Sequence, residues 1–237
     1  MKINPKHIII FSLLFSIFIV LPSCNEDEIT PKATDYSYFP FKVGNWIEYS
    51  ITDINIDKAS NVYDTLRYSI KEISDSLFLD NINQPTMRIE RYIKYNQQDQ
   101  WEIKDVWYAN LLKESAQKVE ENIRLIKLVF PATLNQKWNG NAYNTNETEE
   151  YKITSIDKQE TINNISFESV LTVTQKSDES LIHKYYKVEK FAKNIGLVYK
   201  KDVNINSQTL NGLPIEQRID MGSVYIQQVT QTGILNN

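Results

Sequence analysis

Ile47-Glu48-Tyr49-Ser50-Ile51 alternates apolar and polar side chains strictly, and Ile54 and Ile56 carry the alternation on after a change of phase. Successive side chains of an extended chain point to opposite faces, so this stretch predicts a half-buried strand, with the phase change read as a bulge near Thr52-Asp53. The period recurs down the chain. Ile89, Ile93 and Tyr95 share one phase, as do Tyr151 and Ile153, then Phe167, Leu171 and Val173, then Leu197, Tyr199, Val203 and Ile205. So many period-two segments, each interleaved with charged or hydroxyl residues, predict an antiparallel sheet with one wet face.

Turn chemistry separates these segments. Asn81-Ile82-Asn83-Gln84-Pro85, Asn139-Gly140-Asn141, Asn163-Asn164 and Asn211-Gly212-Leu213-Pro214 are rich in residues that tolerate left-handed backbone or fix φ. Between Tyr108 and Glu121, Leu111, Leu112, Ala116 and Val119 have partly helical spacing, so a helix of about three turns competes there with a strand and a long turn, and the strand is preferred. Ile123 to Phe130 returns to strand character and Pro131 closes it. The expected fold is mainly β: a single antiparallel β domain over 36–237, as a barrel, half-barrel or sandwich, with room for one short helix near 108–120.

Composition bounds the function. The chain has 237 residues, 41% of them hydrophobic, a formal net charge of -4, and only 6 Gly and 7 Pro, which describes a soluble core and excludes linker-like architectures. One Cys and two His exclude a disulfide scaffold and multi-Cys metal or iron–sulfur sites, and no metal site or cofactor is assigned. An acidic chain without a cluster of Lys and Arg has no footprint for nucleic acid.

The N-terminus reads as a targeting signal. Lys2 and Lys6 precede an uncharged run from Ile8 to Leu21. As a helix that run rises about 21 Å, short of the roughly 30 Å hydrocarbon core of a bilayer, so a signal peptide over 1–23 is preferred to a transmembrane span. Leu21-Pro22-Ser23-Cys24 resembles the lipobox of bacterial lipoproteins, with Pro22 departing from the usual small residue. That resemblance implies cleavage before Cys24, lipid attachment at Cys24 and a flexible tether over 24–35; two or more acyl chains make such anchoring stable. Asn25-Glu26-Asp27-Glu28 resembles the acidic export signal of Bacteroidota-type lipoproteins, with Asn25 as the departure. It implies a lipid-anchored place at the outer membrane, displayed outward and otherwise periplasmic.

Three further blocks are distinctive: Tyr38-Phe39-Pro40-Phe41-Lys42-Val43-Gly44-Asn45-Trp46-Ile47-Glu48-Tyr49, then Trp138-Asn139-Gly140-Asn141-Ala142-Tyr143-Asn144, then Phe191-Ala192-Lys193-Asn194-Ile195-Gly196-Leu197-Val198-Tyr199-Lys200. In order and spacing they are similar to an uncharacterised family of Bacteroidota-type envelope lipoproteins. The resemblance implies a cell-envelope β domain and no chemistry.

Physically, the first block reads as a clasp that folds the end of the tether onto the core, with Phe39 and Phe41 flanking Pro40. In the second, Asn139-Gly140 reads as a tight hairpin turn placing Trp138 and Asn141 at its ends. A Trp beside amides and Tyr143 is also a surface that stacks on a sugar ring, so Trp138, Asn139, Asn141 and Tyr143 are the candidate ligand-contact residues.

No catalytic motif is present. His183 is the sole His after processing, lacks a Gly-x-Ser-x-Gly partner motif, and reads as a surface or cross-strand residue. The adjacent acids Glu120-Glu121 and Glu149-Glu150 read as solvated strand edges, because neighbours on a strand face opposite ways. The expected function is non-catalytic binding at the cell envelope, with a glycan or an envelope protein as partner besides the membrane itself. The alternatives are a lipid or lipoprotein carrier with an open barrel and a glycoside-cleaving surface enzyme.

Overall fold

The computed structural model describes residues 34–235. The predicted signal peptide, Cys24 and the tether up to residue 33 lie outside them. Twelve strands follow in order: β1 (Asn45–Asp57), β2 (Val62–Leu79), β3 (Pro85–Lys94), β4 (Glu102–Leu111), β5 (Ser115–Glu120), β6 (Ile123–Val129), β7 (Lys137–Asn139), β8 (Glu150–Ile162), β9 (Ile165–Glu179), β10 (His183–Ala192), β11 (Gly196–Asn206) and β12 (Met221–Ile234). All pair antiparallel in one sheet of order β6-β5-β4-β3-β2-β1-β12-β11-β10-β9-β8-β7, a nearly closed barrel. The mainly β expectation holds, and barrel is the form it takes.

Local chemistry explains the hairpins. Asn163 and Asn164 both have positive φ and join Ile162 to Ile165 in a two-residue turn, whose twist matches that of the flanking strands. Glu121 and Asn122 do the same between Glu120 and Ile123.

Two expectations need correction, and at residues 108–120 the preferred strand holds over the helix. Residues 108–120 form no helix: Leu111 pairs with Ala116 across β4 and β5, and fully buried Ala116 pairs with Leu128, so tertiary pairing overrides helix propensity. β1 runs without a bulge through Thr52 and Asp53; its irregularity lies at Glu48 and Tyr49 against β12. Ile54 and Ile56 therefore fall on the opposite face from Ile51. Asn139 and Gly140 have no positive φ and form no tight turn, because β7 ends at Asn139 and β8 begins only at Glu150.

The sheet's two edges meet through a seam. The Ile126 amide on β6 donates to the Gly140 carbonyl at 2.9 Å, Trp138 Nε1 donates to the Ile126 carbonyl at 2.9 Å, and Asn144 Nδ2 donates to the Arg124 carbonyl at 2.8 Å. The clasp forms as expected, with buried Tyr38 donating its hydroxyl to Asp157 at 2.8 Å and Phe39 and Phe41 packing against Met87, Ile89 and Ala109. It lies at the barrel end bounded by the turns 79–85, 111–115 and 192–196. The opposite end carries 57–62, 94–102, 139–150, 179–183 and 206–221.

Candidate functional site

A barrel of twelve strands is too wide for aliphatic side chains to fill alone. Its interior is spanned instead by long charged ones. Arg91 on β3 donates from Nε to Glu72 at 3.0 Å and from Nη1 to Asp105 at 2.7 Å; Lys118 on β5 reaches Glu72 at 2.9 Å. Lys127 on β6 lies 3.4 Å from Glu120 and 2.5 Å from Glu189 on β10, crossing the barrel, and Lys200 on β11 stands 3.8 Å from both acids. Four acids thus face four cations inside the barrel, and partly exposed Lys104 joins the end of the chain, 2.7 Å from Asp105. The Trp107 ring lies against Arg91 and Lys118, with the Arg91 guanidinium 3.5 Å from its centroid.

A register irregularity lies beside this arrangement. Lys127 shares its face with Leu125, the partner of inward Lys118, and because Ala116 pairs with Leu128 and Gln117 with Ile126, the offset turns Leu128 to the same face, so Lys127 and Leu128 are both buried although adjacent. The reading of Glu120 as a solvated edge is thereby corrected. Burial pushes the Glu120 carboxyl up, yet Lys127, Lys200 and Lys118 together hold it well below the usual carboxylate range; Glu72 is held down against burial by Lys118 and Arg91. Carboxyls depressed in the folded state contribute stability above their unfolded pKa of about 4.3, and that contribution is lost as pH falls through the folded values. Melting temperature should therefore drop by about 5–10 °C between pH 6 and pH 3. In Glu120→Gln it should start lower and depend less on acid; a flat wild-type profile over that range would contradict the arrangement.

Above these pairs the barrel opens as a polar mouth. Cross-strand register places Lys176, Lys187, Asp202 and Tyr225 in one row across β9, β10, β11 and β12, and Tyr185, Asn204 and Ser223 in the next row outward. Residues opposite one another share a face, and Glu189 and Lys200 of the row below fix it as the inner one. Two hollows of about 260 and 310 Å³ occupy this end and share Lys187 and Asn204. Glu149, the residue just before β8, borders the first hollow, and Tyr225 the second. Among the described residues Lys187 is held by no short ion pair, standing 3.7 Å from Glu149 and 3.8 Å from Asp202. Burial raises the Asp202 carboxyl, with Lys187 and Lys200 opposing the shift, and burial likewise raises the Tyr225 phenol, with Tyr68 adding to it.

Below the charged layer, on the clasp side, lies a separate chamber of about 90 Å³. Phe39, Phe41, Met87, Ile89 and Phe191 wall it, and Lys118, Glu120 and Lys127 form its floor.

The residues singled out from sequence take other roles. Trp138 packs edge-on against Tyr151 with its indole N–H spent on the seam. Asn139 Oδ1 accepts the amides of Asn141 and Glu149, and Asn141 Nδ2 donates to the Glu147 carbonyl, so both amides fold the loop. Only Tyr143, 60% exposed, presents its ring to solvent. His183 bonds Ser180 Oγ through Nδ1 at 2.9 Å and Asp178 through Nε2 at 3.2 Å, the partner types of a nucleophilic triad. However, Ser180 Oγ also accepts the amides of Ile182 and His183, which is the work of a turn residue. Among the described residues no group of three metal-ligating side chains converges. Sequence reasoning passed over the inward charges, although Arg91 shares the phase of Ile89 and Ile93, a signal that it points into the core.

Comparison of the chain with protein-family models, with curated proteins and with solved structures gives no match.

Proposed function

We propose that this chain is a lipoprotein anchored through Cys24 to the outer membrane, displayed outward, whose barrel binds a polar ligand at its mouth without transforming it. The observation that supports binding is the pair of contiguous hollows in which Lys187 and Asp202 stand beyond hydrogen-bonding distance of each other on a rigid sheet. A concave site with a few convergent polar groups, offering volume near the lower limit of about 300 Å³ for ligand pockets, is what selective binding needs. The layer beneath is ion-paired and buried, so it acts as a firm floor to the mouth. A carrier for an acyl chain fits less well, because the chamber with apolar walls holds only about 90 Å³ and lies beneath the clasp.

Two measurements test the proposal. Cys24→Ser should release the protein from the envelope pellet into the soluble fraction; retention in the pellet would sink the anchor. A thermal-shift screen of the full chain in detergent, using oligosaccharides and short peptides, should find a stabilising compound whose effect disappears in Lys187→Ala. Stabilisation that survives in that variant would remove the mouth from consideration.

A further inference from the structure

We propose that the ligand of the mouth is an uncharged saccharide, an assignment that rests on the binding role just given to that surface. Charge is the first argument. The hollows are lined by Lys176, Lys187 and Lys200 with Glu149 and Asp202, and Lys200 is drawn down toward Glu120 and Glu189, 3.8 Å from each. With Lys200 engaged by the acids below, the two remaining cations meet two carboxylates, so a net charge gains little from entering, whereas a ligand bearing hydroxyls can donate to Asp202 and Glu149 and accept from Lys187.

Geometry is the second argument. Asp202 and Tyr225 are register partners, as are Asn204 and Ser223, so donors and acceptors recur at the strand spacing of about 4.8 Å on a surface that cannot rearrange. A ring carrying several hydroxyls meets several of these groups at once, and desolvating them is repaid only by a ligand that supplies as many partners. Aromatic faces are the third. Tyr185 borders one hollow and Tyr225 the other, and Tyr185 is held by stacking on His183, with ring centroids 4.7 Å apart, and by donating its hydroxyl to Asn206 at 3.0 Å. An immobilised aromatic ring beside amide and hydroxyl groups suits the C–H face of a pyranose.

The test uses the full chain in detergent. Maltohexaose, cellohexaose and mannopentaose serve as neutral probes, and polygalacturonate and spermine as charged ones, all read by calorimetric titration. At least one neutral probe should bind, with affinity weakened tenfold or more in Asp202→Asn and in Ser223→Ala and changed less than twofold in Tyr143→Ala. Melting curves of the variants identify any that fail to fold; Asp202→Asn is isosteric and keeps the test standing if Ser223→Ala does not. Binding of a charged probe alone, abolished by Lys187→Ala, would overturn the saccharide assignment and leave the mouth as a binding surface. Neutral-probe binding lost in Tyr143→Ala but kept in Asp202→Asn would overturn both, moving recognition to the loop after β7. Failure of every probe would also overturn both.

Discussion

Lys127→Met is expected to lower the free energy of unfolding by about 3–5 kcal/mol, the usual cost of removing one partner from a buried ion pair. The Lys127 ammonium is 3% exposed as a residue and lies 2.5 Å from Glu189, which is itself fully buried. Without it, Glu189 retains among the described residues only Lys200 at 3.8 Å, and its second carboxylate oxygen has no hydrogen-bond partner among them even in the wild type. An uncompensated carboxylate in the middle of a barrel has to recruit water or a proton, and either disrupts the packing around it. Lys127→Met combined with Glu189→Leu should recover most of the loss, because two apolar groups of similar volume need no compensation. Urea unfolding with an unchanged denaturant slope provides the measurement. A neutral single variant, or a double variant as unstable as the sum of the singles, would show that the pair does not bridge β6 and β10.

Gly140→Ala is expected to cost about 3 kcal/mol and to loosen the barrel seam, through a clash in a well-packed core. A Cβ placed there would sit 2.3 Å from Cζ of Tyr151, a buried ring already packed edge-on against Trp138. The ring has nowhere to move, so the backbone of residue 140 must lift. That backbone accepts the Ile126 amide and donates to the Glu149 carbonyl, which makes it the main-chain contact closing β6 against the far edge of the sheet. Amide hydrogen exchange at Ile126 should accelerate in the variant while amides of β1 and β12 remain protected. Trimming the ring supplies the control: with Tyr151→Val in place, adding Gly140→Ala should cost little more. Additive losses would place the strain elsewhere.

The two substitutions also mark what sequence reading can and cannot reach. Gly140 drew attention as half of an Asn-Gly turn, whereas the structure requires it for close approach to a ring eleven positions further on. Nothing in the neighbouring residues encodes that contact. Lys127 sits in Ile123-Arg124-Leu125-Ile126-Lys127-Leu128, where it shares the phase of Ile123 and Leu125; that this phase faces the interior follows from Leu125 pairing with inward Lys118 on β5, which is non-local. By contrast Asn163-Asn164 specifies its hairpin through left-handed backbone alone, a preference the residues carry wherever they stand.

The candidate site divides the same way. The loop after β7 was legible as aromatic and amide-rich, but whether an amide faces a ligand or its own backbone is settled only by where the chain turns, and Asn139 and Asn141 turn inward to hold the loop. The mouth was not legible at all. Lys187, Asp202 and Tyr225 come from three strands and become neighbours only through register.

Alternation and Asn-rich turns, being properties of a few adjacent residues, were enough by themselves to determine an antiparallel β chain and the turns at 79–85 and 162–165. Closure of that sheet, the inward-facing charges and the polar mouth were decided by the tertiary structure, because each depends on which strand lies opposite which. A single-residue offset in that pairing exchanges the inside of a sheet for its outside.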